Sequence, residues 1–141
     1  VAKIRIGLVL AKDGGALQEM VKPIKFGVGA AFGSGQQYQS WIHLHDLAAI
    51  FSHVIENNRS GVYNGVSPYP VTNEALTQAI AKTLEKPLFL PNIPKFIMKL
   101  ILGEMHILLF SSQHVSCRKL LDENFQYKFA SLDKALNDLL K

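Results

Sequence analysis

The first ten residues constrain the fold more than any other stretch. Val1–Leu10 is a largely β-branched and aliphatic run, and the turn signal Asp13-Gly14-Gly15 follows it. A run apolar on both faces suits a central parallel strand rather than an exposed edge. Parallel neighbours are joined by crossover connections, and no residue precedes Val1 to supply one. The strand's partners are therefore expected upstream or on another chain, so the chain reads as a fragment. Self-association through the N-terminal strand is expected on the same ground, because open strand edges recruit other chains.

The rest of the chain alternates short strands with helices. Ala16–Val21 predicts a short helix stopped near Pro23, and Lys25–Gln37, with Gly27, Gly29, Gly33 and Gly35, reads as a long loop. Gln39–Leu44 is extended. Leu47, Ile50, Phe51, Val54 and Ile55 then recur at helical spacing, with Asp46 near the N-cap. Val62–Gly65 is the second strand. Thr72 is placed to cap the next helix, with Val71 and Leu76 as its hydrophobic staple and Lys86-Pro87 as its end. Beyond Pro94, a first-turn proline, the chain reads as almost wholly helical, with Gly103 as a helix stop and Ser116 and Ser131 as caps. The composition changes near Leu88–Pro94, which divides the chain into 1–88 and 89–141.

Fifteen basic and eleven acidic residues leave a net charge of +4, spread along the chain. Nucleic-acid binders gather such charge on one stripe beside aromatic platforms, so no nucleic-acid partner is expected. The single cysteine, Cys117, allows no intramolecular disulfide and fits a reducing, cytoplasmic compartment. Phe96–Phe110 is the most hydrophobic stretch, but Lys99, Gly103, Glu104 and His106 interrupt it. It falls short of the roughly 20 apolar residues of a spanning helix and reads as packed helices, with no membrane partner. A membrane-surface role would instead leave Phe96, Ile97, Leu100 and Ile101 exposed.

Two motifs invite sharper readings. Gly27-Val28-Gly29-Ala30-Ala31-Phe32-Gly33 carries one residue too many for a dinucleotide fingerprint and neither follows a strand nor opens a helix. His43-x-His45-Asp46, with His53 nearby, lacks metalloprotease spacing and cysteine support, so no metal is assigned. In a short strand His43 and His45 would face the same side, with Asp46 serving as a helix cap.

The order of segments says more. Arg5-Ile6-Gly7-Leu8-Val9-Leu10 precedes Asp13-Gly14-Gly15-Ala16-Leu17, then Gly33-Ser34-Gly35-Gln36, Ser40-Trp41-Ile42-His43-Leu44-His45-Asp46 and Gly61-Val62-Tyr63-Asn64. Leu102-Gly103-Glu104-Met105 and a terminal Phe125-x-Tyr127-x-Phe129 close the chain. In that order they resemble the C-terminal half of an extended short-chain dehydrogenase/reductase. More narrowly they resemble the bacterial and mitochondrial epimerase-family proteins that carry a short C-terminal domain of their own.

The resemblance implies an α/β fold, the C-terminal portion of a Rossmann-type NAD(P)-binding domain over residues 1–88, with a mostly helical substrate-side lobe over 89–141. It implies NAD or NADP as the cofactor of the full-length protein, a small-molecule substrate, and a Tyr-x-x-x-Lys pair for proton exchange. Tyr38, Tyr63, Tyr69 and Tyr127 are followed four positions on by Ile42, Ser67, Asn73 and Ser131, so no residue here is assigned as catalytic. No cofactor is expected to bind this piece alone. Trp41 and His43 fall on the strand that meets substrate in the family, with Gln36, Gln37 and Gln39 as amide donors nearby. Arg5, on the cofactor side, is read as structural. Nucleotide-sugar epimerases of the wider family place a diphosphate-binding arginine where Gln39 stands, which counts against a nucleotide-sugar substrate. Asn124 stands where a glycine often precedes the phenylalanine, and asparagine suits a left-handed position. The chain thus reads as the substrate side of an NAD(P)-dependent sugar-nucleotide epimerase-like oxidoreductase, inactive alone. The competing reading is a binding or interaction module that kept only the substrate lobe.

Overall fold

The computed structural model of the chain describes residues 1–27, 29–31, 33–88, 91–103 and 114–141. The N-terminal run forms two strands, β1 (Ala2–Ile6) and β2 (Leu8–Leu10). β1 runs parallel to β5 (Gly61–Gly65), from Ala2 opposite Gly61 to Ile6 opposite Gly65. β2 runs parallel to β4 (Trp41–His43). The handover occurs at Gly7. Its N–H donates to the Gly65 carbonyl at 3.2 Å, and the next N–H, of Leu8, donates to Ser40 at 2.8 Å. A Cβ at position 7 would lie 2.2 Å from the Ser40 carbonyl oxygen and 2.6 Å from Val66 Cγ1, so only glycine lets the strands come this close. Both expected strands are thus present, the first divided in two. An antiparallel pair, β3 (Tyr38–Gln39) with β6 (Val71–Thr72), completes the described strands.

Six helices are found among the described residues. α1 (Gly15–Lys25) runs through Pro23 instead of stopping there. The proline forfeits one backbone bond, but Ile24 beyond it continues the buried stripe of Leu17, Met20 and Val21, and that burial carries the helix on. α2 (Leu44–Glu56) is capped by His43 rather than Asp46. α3 (Asn73–Leu84) is capped by Thr72, whose Oγ1 accepts from the Ala75 N–H at 3.1 Å, and it ends at left-handed Glu85 before Lys86-Pro87. α4 (Lys95–Leu102) starts after Pro94, which is its N-cap rather than a first-turn residue, and stops at Gly103 with φ 61°. α5 (Arg118–Asp122) follows Cys117, with the Ser116 hydroxyl accepting from the Arg118 N–H. α6 (Leu132–Leu140) follows Ser131, whose side chain makes no capping bond. Asn124 adopts the expected left-handed conformation, at φ 62°.

No strand follows Pro94 among the described residues. The second part of Phe96–Phe110 lies outside them. The first part is not the packed helix the sequence suggests: Phe96 is 68 % and Leu100 84 % exposed, with Ile97 exposed at the margin. The periodicity of this segment specifies a helix but not a neighbour. No helix among the described residues is long and apolar enough to cross a membrane.

Two cores hold the fold. One gathers Leu10, Trp41 and the inward faces of α1 and α3 against Ala135, Leu136 and Leu139 of α6. The other joins Ile42, Ile50, Val54 and Tyr63 to Leu120 and Phe125. Each core mixes residues from either side of the Leu88–Pro94 composition change.

Candidate functional site

β4 and the start of α2 place the residues singled out on sequence. Trp41 is 0 % exposed, and its indole N–H donates to the Tyr69 carbonyl at 2.9 Å. His43 is buried beside it. Its Nδ1 accepts from the His45 N–H at 2.9 Å, so in the neutral ring the proton sits on Nε2, which donates to the Asp138 carboxylate at 2.8 Å. The His43 ring stacks on Phe129, with centroids 4.0 Å apart. The His45 ring meets the same Phe129 ring edge-on, with centroids 5.9 Å apart. The chain turns helical at Leu44, and the His45 side chain is half exposed. Among the described residues no three His, Cys, Asp or Glu side chains are grouped to hold a metal ion.

Asp46 has a task the sequence reading missed. At 1 % exposure, its carboxylate accepts from the backbone N–H groups of Lys128 (2.9 Å) and Phe129 (2.8 Å). The His43-x-His45-Asp46 motif is thus a socket for the segment leading into α6. A local spacing argument could not find a partner so far along the chain.

The glutamines lie just before β4, Gln36 and Gln37 on the loop and Gln39 in β3. Gln36 is exposed, and its amide donates to Glu74 at the start of α3 at 2.8 Å. Gln37 is buried, with its carbonyl accepting from the Asn73 N–H at 2.8 Å, and Gln39 is buried within β3. The glycine-rich loop is pinned as well: Gly33 and Ala31 pair with Ile93 through backbone bonds of 2.7 and 2.8 Å. Of the five residues assigned to substrate, Gln36 alone has an exposed side chain.

The carboxyl ends of β1 and β5 form a crevice, the usual ligand position in open α/β sheets. It encloses about 410 Å3 between Arg5, Ile6, Gly7, Asn64, Val66 and Val115. The Asn64 amide donates to the Ser116 carbonyl at 2.9 Å. Arg5 is exposed and takes no ion pair among the described residues. The parallel pairing of β1 and β5, invisible in composition, is the signal that locates this crevice.

Behind β5 lies a charged cluster. Glu123 accepts from Tyr63 Oη at 2.8 Å and from His53 Nε2 at 2.9 Å, with Arg59 Nε at 3.3 Å. The His53 hydrogen bond chiefly holds the Glu123 carboxyl below its ordinary value; Tyr63 and Arg59 add to this, while burial opposes it. Burial, and then the Glu123 hydrogen bond, push the Tyr63 phenol up. Tyr127 is raised too, by burial first and then by its hydrogen bond with Cys117.

The fold around the strand-end crevice is similar to that of known proteins. Residues 93–139 match the family described as Domain of unknown function (DUF1731). The mouse epimerase family protein SDR39U1 is 39 % identical over 139 residues, which are 97 % of this chain and 47 % of that protein. Over nearly its whole length the chain is similar to the C-terminal part of the epimerase family proteins. An epimerase family protein of Staphylococcus aureus is 38 % identical, over 46 % of its length. The crystal structure of human SDR39U1 with NADPH superposes at a TM-score of 0.88 and 36 % identity, covering 98 % of this chain and 47 % of that one. A nucleoside-diphosphate sugar epimerase from Corynebacterium glutamicum gives a TM-score of 0.73 at 25 % identity, over 26 % of its chain. The chain therefore spans about half the length of the curated relatives it matches. The Rossmann-type epimerases and dehydratases are its structural neighbours.

Proposed function

We propose that this chain furnishes the substrate-side wall of an NAD(P)-dependent sugar-nucleotide epimerase-like oxidoreductase, and that it is not catalytic alone. One observation carries the reading. Similarity to a protein crystallised with NADPH runs through 98 % of the chain, and the strand-end crevice lies within it. The residues present do not fit a whole dinucleotide. A crevice of about 410 Å3 is near the lower end of small-molecule pockets, with room for one nucleoside-sized piece. The glycine turn between β2 and α1, Asp13-Gly14-Gly15, lacks the Gly-x-Gly-x-x-Gly spacing that takes a pyrophosphate.

Within this reading Gln36 is the one assigned residue whose side chain reaches solvent. Trp41 and His43 act as positioning residues, since their polar atoms are committed to Tyr69, His45 and Asp138. Gln39 offers no guanidinium for a diphosphate, which narrows the substrate away from an ordinary nucleotide-sugar. The reading carries a cytoplasmic setting with it. The test is a thermal-shift titration with NADPH and NADH, on this chain and on a family-length protein ending in it. A ligand that binds only the native state raises its melting temperature. A shift in the long protein alone is expected. A shift in neither would favour a binding module without the chemistry, and micromolar binding by this chain alone would end the claim that it needs the other half.

A further inference from the structure

α4 carries a surface that the proposed function does not use. Phe96 is 68 %, Leu100 84 % and Ile97 36 % exposed, on a helix of eight residues. Phe96 and Leu100 stand one turn apart, so they are neighbours on the helix surface. A lone exposed leucine is ordinary, but adjoining large apolar side chains left to water mark an interaction surface. Lys99 is exposed with them, and α4 contains Lys95 and Lys99 but no acidic residue. The helix is moored just before its start, where Ile93 packs against the first core and pairs through its backbone with Ala31 and Gly33.

We propose that α4 docks the chain on the surface of a bilayer bearing anionic headgroups, with Phe96, Ile97 and Leu100 sunk among the acyl chains and Lys99 at the phosphates. The inference adds a location to the chain and does not depend on the cofactor reading. Charge favours this occupant. An apolar face accompanied by lysine and by no acidic residue of its own helix, in a chain of net charge +4, complements an anionic surface. The lysine stem can lie along apolar surface while its ammonium stays at the headgroups. Length decides between lying on the bilayer and crossing it. α4 is only about 12 Å long, and no helix among the described residues could span; an interfacial helix needs no such length. The alternative, a second copy, is opposed by charge. A two-fold packing of so short a helix on itself would bring its lysines toward those of the partner helix.

The test is co-sedimentation of this chain with phosphatidylcholine vesicles that contain or lack about one-third phosphatidylglycerol. Binding to the anionic vesicles is expected, at least about tenfold tighter than to the neutral ones and weakened by high salt. Phe96→Asp with Leu100→Asp should reduce it at least about tenfold. Lys99→Gln should reduce it about fivefold, the contribution of one basic residue at an anionic surface. Ile55→Asp, at an exposed apolar site on α2, should leave it unchanged. Since Phe96, Lys99 and Leu100 are exposed, circular dichroism of each variant should match the parent. No binding to either vesicle, or binding indifferent to the double substitution, overturns the proposal. So does a homodimer that the double substitution breaks and anionic vesicles fail to dissociate. A family-length protein ending in this chain supplies the last arm. Vesicle binding kept there supports the proposal, whereas its loss assigns α4 to a contact within the longer protein and overturns it.

Discussion

Asp46 stands in the first turn of α2, yet its carboxylate serves backbone groups 82 and 83 residues downstream. Replacing it with alanine leaves two N–H groups without their acceptor, so Asp46→Ala should cost about 2–4 kcal/mol. Asn, which keeps one acceptor oxygen, should cost less. Urea midpoints at neutral pH would check both, and an alanine variant as stable as the parent would show that water replaces the carboxylate. Gly7 carries a different constraint. The Ser40 carbonyl oxygen, 2.2 Å from where an alanine Cβ would sit, is backbone and cannot swing aside. Gly7→Ala should therefore lose about 3 kcal/mol or more as the β1–β2 handover is forced apart. The same assay reads it, and a loss under about 0.5 kcal/mol, the ordinary result of a surface change, would mean that the two strand pairs separate easily.

At the scale of elements, legibility followed the range of the interaction. Strands Ala2–Ile6 and Gly61–Gly65 and the Thr72 cap were readable because a β-branched run and a capping residue act within a few positions. Asn124 was readable through the resemblance, which places a glycine there, because left-handed backbone selects side chains locally. The extension of α1 past Pro23 was not, since Ile24 is buried by residues far away in sequence. The roles of Asp46 and His43 were hidden for the same reason: their partners lie near the chain's other end. α4 shows the converse. Its sequence promises burial, but Phe96 and Leu100 stay exposed among the described residues. Leu100→Ser should accordingly change the stability of this chain by less than about 0.5 kcal/mol, as substitutions away from packed sites do. A drop of about 2 kcal/mol or more, the range of buried leucine truncations, would place Leu100 in a core.

Across the whole molecule, Glu123 links the turn after α5 to β5 and to the end of α2, through Tyr63, His53 and Arg59. Its carboxyl is held below the ordinary value of 4.5, chiefly by His53. A carboxyl group lowered on folding stabilises the native state above its unfolded value, and that contribution is lost as pH falls through the folded value. Glu123→Gln keeps the shape but has no charge to lose. At about pH 7 the variant should be less stable than the parent by roughly 1–3 kcal/mol, the span for hydrogen bonds to a charged group. The gap should close as pH falls below 4.5 and through the parent's lowered folded value, where its carboxylate takes up a proton. Paired urea titrations across that range would measure it. Because the comparison removes one titrating group, other carboxylates that weaken in acid act on both proteins alike. A gap of constant width would assign Glu123 a packing role only, and the connection between the C-terminal segment and β5 would then rest on Leu120 and Phe125 in the second core.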